Sequence, residues 1–379
     1  MRERISSRPV HVALGIALLG GSALVVWLVL VSTQGDRPDR LIAAGDVASC
    51  TADADEATAR LLDDLSGTVA VLGDAAYPDG SVRDLTECYA PTWGRHLART
   101  RAIPGNRDYG SPGAASFFGY FGSAAGAPTQ SYYSFHIGHW QLVVLDTQCD
   151  AVGGCGDGSP QVEWLRQVLK ASTNECTAAL MHVPRFSSGT HGSALWLRPI
   201  WQVLYEAGVE IVLSGHDHDY ERFAPQDPDG LADPMSGIRQ FVVGTGGIGL
   251  TPLSEPAPNS EIRDASTHGV LELMLGDAGY DWRFHPVAGA VFTDQGSGTC
   301  HDRPPSEGRT IDHQVVNDYR VAISALNSGE PFMQRRADSL IGRSLLAYVK
   351  LIDQQPVQEG LLSPAEAAGQ KLIPALATG

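Results

Sequence analysis

The sequence predicts an α/β (α+β) fold, a four-layer αββα sandwich of two mixed β-sheets packed together with helices outside. Two observations lead there. From Leu41 onward, short apolar runs of strand length alternate with segments of helical periodicity. Their connections include a crossover of the βαβ kind and a tight hairpin, a mixture that a purely parallel doubly wound sheet does not contain.

The elements follow in order. Leu41–Ala44 and Thr68–Leu72 read as buried strands, each ending in Gly-Asp, and Ala54–Leu65 between them has helical spacing. Arg101–Pro104 is a third short strand, followed by Gly105-Asn106-Arg107-Asp108. Residues 110–130, rich in Gly, Ser, Ala and Pro, are expected as a long loop. Ser131–Ile137 and His139–Thr147 form a hairpin about Gly138. A helix starts at Ser159-Pro160 and runs to Lys170, with serine as N-cap and proline in the first turn. Strand Cys176–His182, helix Leu195–Ala207 and strand Val209–Ser214 come next. Strands Arg239–Val243, Val270–Leu275 and Tyr280–Val287 close the region.

The two ends differ from this pattern. No charged residue lies between Arg8 and Asp36, and Val12–Val31 is almost wholly apolar, the roughly 20 residues a membrane span needs. Residues 10–32 are therefore expected to be an uncleaved signal anchor, with 1–9 cytoplasmic beside Arg2, Arg4 and Arg8, and 33–40 a linker. A cleaved signal peptide is the alternative, giving a secreted protein rather than a single-pass one facing outward. Residues 41–300 form the expected catalytic domain. Beyond Pro304-Pro305, residues 301–379 read as a helical extension of unknown role, with an apolar stripe at Leu340, Ile341, Leu345, Tyr348 and Ile352. The net charge of −16 excludes nucleic acid as the main partner, since a phosphate backbone requires a basic surface. Six cysteines and no C-x-x-C pair suit disulfides in an oxidising compartment. A local Cys149–Cys155 bridge is expected, and Cys50–Cys88 with Cys176–Cys300 would complete the set, although other connectivities stay open.

The chemistry gathers where strands end. Asp46 and Asp74 each follow a glycine after an apolar strand, and Asn106 does so too. His182 ends one strand, and His216 and His218 follow Ser214-Gly215 at the end of another. Each residue alone is an ordinary turn or structural residue, but five such blocks in series describe a metal site beyond the carboxyl ends of strands. The glycine-rich run 244–249 lacks the helix of a nucleotide loop and reads as a strand-end turn beside this site. Trp140, Trp164, Trp196 and Trp201 read as core or rim residues.

Gly45-Asp46, Gly73-Asp74-Ala75-Ala76-Tyr77, Gly105-Asn106-Arg107-Asp108, His182 and Gly215-His216-Asp217-His218 resemble the ordered motifs of calcineurin-like metallophosphoesterases. Gly-Asp-x-x-Tyr and the run Gly215 to Arg222 are similar to the purple acid phosphatase branch, in its small single-domain form. The resemblance covers roughly Leu41 to Val287 and neither end of the chain.

It implies two metals bridged by Asp74, one held with Asp46, Tyr77 and His218, the other with Asn106, His182 and His216. The implied pair is Fe(III) with Fe(II), Zn(II) or Mn(II), the substrate a small phosphate monoester, and the optimum acidic. A metal-bound hydroxide would attack phosphorus in line, with His191 as candidate general acid. Where the family places histidine, this chain has Arg107, expected to hold phosphate, or else simply to face solvent or pair with Asp108. A phosphodiesterase or nucleotidase on the same site, and a non-catalytic surface binding protein, are the alternatives.

Overall fold

The computed structural model describes residues 39–301, apart from 53, 129, 174 and 175. The expected cytoplasmic tail, anchor and nearly all of the C-terminal extension lie outside the described residues. Among the described residues, no helix is long and apolar enough to cross a membrane.

The strands of these residues form a six-stranded and a seven-stranded sheet, both mixed. In the first, β1 (Asp39–Ala44), β3 (Thr68–Leu72) and β5 (Thr100–Ile103) run parallel, as buried apolar runs joined by crossovers must. On the other side of β1 come antiparallel β13 (Gly269–Leu275), β14 (Gly279–Pro286) and β15 (Gln295–Thr299). The second sheet has a parallel centre of β7 (Trp140–Leu145), β8 (Cys176–Met181), β9 (Ile211–Ser214) and β11 (Arg239–Val243). Antiparallel β6 (Tyr133–Ile137) flanks one edge; β10 (Tyr220–Phe223) and β12 (Ser260–Asp264) flank the other. Two residue pairs, β2 (Ala48–Ser49) and β4 (Ala76–Tyr77), add a small ladder beside the ends of β1 and β3.

Period-two alternation explains how the second sheet serves two cores. Leu142 and Val144 of β7 join the apolar cluster that contains β1, β3 and β13. Their neighbours Val143 and Leu145 point the other way, into a cluster with α3 (Pro160–Lys170) and α4 (Arg198–Glu206). Rings interlock between the sheets: Trp140 with Tyr280, Tyr220 with Phe284, and Phe241 with Trp282. Helix α1 (Ala54–Asp64) lies between β1 and β3 in the chain and buries Thr58, Ala59 and Leu62.

Two expectations are corrected. The stretch 110–130 is not a plain loop, because it contains α2 (Ala115–Phe121), whose Phe117, Phe118 and Phe121 are buried. Its glycines and alanines hide that apolar face from a periodicity reading. Strands β10, β12 and β15 carry no apolar run and were not expected. In β15, Gly296 and Gly298 lie where any Cβ would strike the rings of Trp282 and Tyr280, so a strand with little apolar side chain still packs. Three disulfides join Cys50–Cys88, Cys149–Cys155 and Cys176–Cys300.

Candidate metal centre

Each parallel strand of the first sheet ends in a glycine followed by a potential ligand. These glycines are dictated by what lies opposite. Gly73 has φ +87°, and a Cβ there would run into the His182 imidazole. At Gly105 a Cβ would run into the Asp74 carboxylate. The ligands themselves carry strain: Asp46, Asp74 and His216 have φ of 60°, 50° and 71°, in the left-handed region that non-glycine residues avoid. This bend turns each side chain from its own strand toward the seam between the sheets.

Asp46, Asp74 and His182 present ligand atoms all within 4.8 Å of one another. The Tyr77 hydroxyl lies 2.8 Å from Asp46 Oδ1, 3.0 Å from Asp74 Oδ2 and 3.1 Å from His218 Nε2. On the other side, His182 Nε2 is 3.1 Å from Asn106 Oδ1 and 3.5 Å from Asp74 Oδ1. Asp74 thus turns one oxygen to each group. The His216 ring stands edge-on to His182, with centroids 5.0 Å apart, and its backbone N–H donates to Asp46 Oδ2. All seven side chains expected as ligands meet here.

The nitrogens are oriented from behind. Nδ1 of His182 lies 2.8 Å from the Leu72 carbonyl, and Nδ1 of His218 3.0 Å from that of Gly249. A carbonyl only accepts, so each Nδ1 donates to it and each Nε2 is left to face the cluster. The 244–249 turn lies beside the site, Gly246 and Ile248 donating to the carbonyls of Gly45 and Asp46.

The electrostatics fit a cation. Asp46 and Asp74 are buried, and among the described residues neither is paired with lysine or arginine. Burial raises Asp74, and the charge of Asp46 adds to it. Burial also acts to raise Asp46, but the His218 hydrogen bond and the surrounding imidazoles outweigh it and leave Asp46 lowered. Burial and both carboxylates push the Tyr77 phenol far up. Burial and the charge of His182 depress His216 to about 3. For His218, burial is outweighed by Asp46, which lifts it to about 9. Buried carboxylates and a phenol suit a hard cation, while imidazole nitrogens and an amide oxygen suit a borderline divalent one.

Sequence reasoning missed the supports. Asp108 is buried, and its oxygens accept from the backbone amides of Asp74, Ala75 and Gly105. It is therefore not an ion-pair partner of Arg107, whose exposed guanidinium lies 5.8 Å from the centre of the Tyr77 ring. Asp217 accepts from both Nδ1 and the backbone N–H of His191 at 2.9 Å. It brings that ring, 47% exposed, to 4.2 Å from the ring of His216. Glu221 accepts from Ser188 Oγ and N and from Ser260 Oγ, anchoring the same loop. Alternation from Asp217 to Glu221 toward the His191 loop was the available signal.

A family model for calcineurin-like phosphoesterases matches residues 38–220. Purple acid phosphatase 22 of Arabidopsis thaliana is 32% identical over 165 residues, covering 41% of this chain and 36% of that protein. Probable inactive purple acid phosphatase 1 of the same plant is 23% identical over 267 residues, covering 58% of this chain and 41% of its own length. The chain thus matches less than half the length of these curated relatives. A purple acid phosphatase from yellow lupin (Lupinus luteus) seeds has the same fold, with a TM-score of 0.57 at 17% identity over 74% of this chain and 57% of its own. On these matches and this strand-end geometry, residues 38–220 are similar to the calcineurin-like phosphoesterases, and purple acid phosphatases are among the chain's relatives.

Proposed function

We propose that this chain is a two-metal phosphatase that hydrolyses small phosphate monoesters outside the cytoplasm. The observation that carries the reading is Asp74, whose two oxygens face two separate donor groups, Tyr77 on one side and His182 on the other. Asp46, Asp74, Tyr77 and His218 would hold Fe(III); Asp74, Asn106, His182 and His216 would hold Fe(II), Zn(II) or Mn(II). When bound, such a pair supplies Lewis-acid charge and an activated water.

The chain's own residues do the rest. Arg107 stands exposed beside Tyr77, where its guanidinium can take two phosphate oxygens. His191, its Nδ1 fixed by Asp217, presents Nε2 to donate a proton to the departing alkoxide. The strain at Asp46, Asp74 and His216 keeps the ligand set organised before substrate arrives. The three disulfides support an oxidising compartment.

The test is metal content together with phosphate release from a monoester, a bis-ester and ATP. Two bound metals per chain and preference for the monoester are expected. Preference for the bis-ester or ATP would make the chain a phosphodiesterase or nucleotidase. Fewer than one tightly bound metal, with no turnover, would leave a non-catalytic binding protein.

A further inference from the structure

Beside the metal centre lies a second feature that the hydrolysis itself does not use. A cleft of about 330 Å³ is lined by Tyr109, Thr147, Gln148, Cys149, Asp150 and Trp196, a size within the range of small-ligand sites. Three of its lining residues are linked to segments that also carry residues of the centre. Tyr109 closely follows Asn106 in the chain. Thr147 Oγ1 accepts from the N–H of Val183, the residue after His182. Trp196 sits in the 3-10 turn Leu195–Leu197 that ends the His191 loop.

The cleft is built, not incidental. Its walls share one buried carboxylate, Asp146, just past the end of β7. Asp146 Oδ2 accepts from the hydroxyls of Tyr109 and Ser131, and Oδ1 accepts from the Gln148 N–H at 2.7 Å. Gln161 holds both backbone groups of Asp146 at 2.8 Å. The Cys149–Cys155 disulfide closes the loop that carries Cys149 and Asp150. Against this fixed wall stands Trp196, 49% exposed, a large indole that the core leaves to solvent.

We infer that this cleft is the leaving-group subsite and that it takes a flat, uncharged aromatic alcohol. Tyr109 and Trp196 offer ring faces, and Thr147 and Gln148 offer hydrogen bonds at the edge. Asp150, exposed at the rim, repels a second phosphate or a carboxylate on the leaving group. The inference rests on the phosphatase reading above. It selects aryl-methyl and similar aromatic monoesters over small aliphatic or polyphosphate ones.

The experiment compares benzyl phosphate with ethyl phosphate on the metal-loaded full chain, because the two alcohols are similar leaving groups. In the wild type, kcat/KM for the benzyl ester should exceed that for the ethyl ester by about fivefold or more, the scale of one ring contact. Trp196→Ala should bring this ratio to within about twofold of one, and Trp196→Phe should restore most of it. A wild-type ratio near one, or a ratio unchanged in Trp196→Ala, overturns the assignment. Binding supplies a readout free of turnover. 4-Nitrobenzylphosphonate should quench intrinsic fluorescence saturably in the wild type, and the Trp196-dependent part should vanish in Trp196→Ala. Saturable quenching without hydrolysis of either ester would sink the phosphatase reading and keep the subsite. Hydrolysis with identical quenching in both proteins would do the reverse.

Discussion

Asp294 and Asp74 are both buried carboxylates, yet the fold surrounds them in opposite ways. Asp294 accepts from Arg222 Nε at 2.7 Å, from Tyr220 Oη at 2.8 Å and from Trp282 Nε1 at 3.1 Å. Asp74 meets a phenol, an imidazole, a backbone amide and the second acid Asp46, and among the described residues no arginine or lysine side chain pairs with it. Glu272 repeats the Asp294 pattern, with Arg40 and His285 as partners. At Asp294 and Glu272 the scaffold thus sets an arginine against a buried acid. At the strand ends it gathers Asp46 and Asp74 without one among the described residues, the counter-charge that the proposed metals would supply.

Asp74→Asn tests this contrast hardest. Phosphate monoester hydrolysis should fall by about 10³-fold or more, the scale of removing a group that stabilises developing charge. The metal-free variant should nonetheless be at least as stable in urea as the wild type, because a buried unpaired charge has gone. A metal-free loss of more than about 1 kcal/mol would mean that Asp74 is a scaffold residue after all. Asp294→Ala should do the opposite. Unfolding free energy should drop by about 3–5 kcal/mol because Arg222 loses its buried partner. The kcat of the folded, metal-loaded fraction should stay near that of the wild type. Equal stability would erase the distinction.

His191→Ala should cost about 10²-fold in kcat on benzyl phosphate and far less on 4-nitrophenyl phosphate, whose leaving group needs no proton. Equal losses on both would remove His191 as acid. Asp217→Asn should give the same pattern at about tenfold, as expected of a group that only orients the imidazole.

The smallest effect is a pH dependence in the scaffold. The His285 hydrogen bond and the Arg40 charge hold Glu272 below its ordinary value of 4.5, against burial, which acts the other way. Its contribution is therefore complete above pH 4.5 and lost as pH falls through the lower folded value. Stability curves of the wild type and Glu272→Gln should converge in acid; parallel curves would mean that Glu272 is not held low by its partners.

The clustering of the candidate donors was legible because each block is local. An apolar run, a glycine and one residue of limited chemical type mark a strand end at Asp46, Asp74, Asn106 and His216, and His182 ends its apolar run directly. Most strands and helices were legible for the same reason. The exceptions are instructive. α2 hides its phenylalanines among glycine and alanine, and β15 packs through the rings of its neighbour rather than its own side chains. Arg222 closes the run Gly215 to Arg222 that resembles a purple acid phosphatase motif, yet it pairs with Asp294.

Sequence alone determined which donors this protein brings to its strand ends, because donor chemistry is a property of single residues. Tertiary structure decided how those donors are divided and supported. It turned the two oxygens of Asp74 to different partners, set Asp217 behind His191, and tied Tyr109 and Gln148 to Asp146. Such roles belong to pairs that are distant or differently spaced in the chain, and no local pattern encodes a distance across a seam between two sheets.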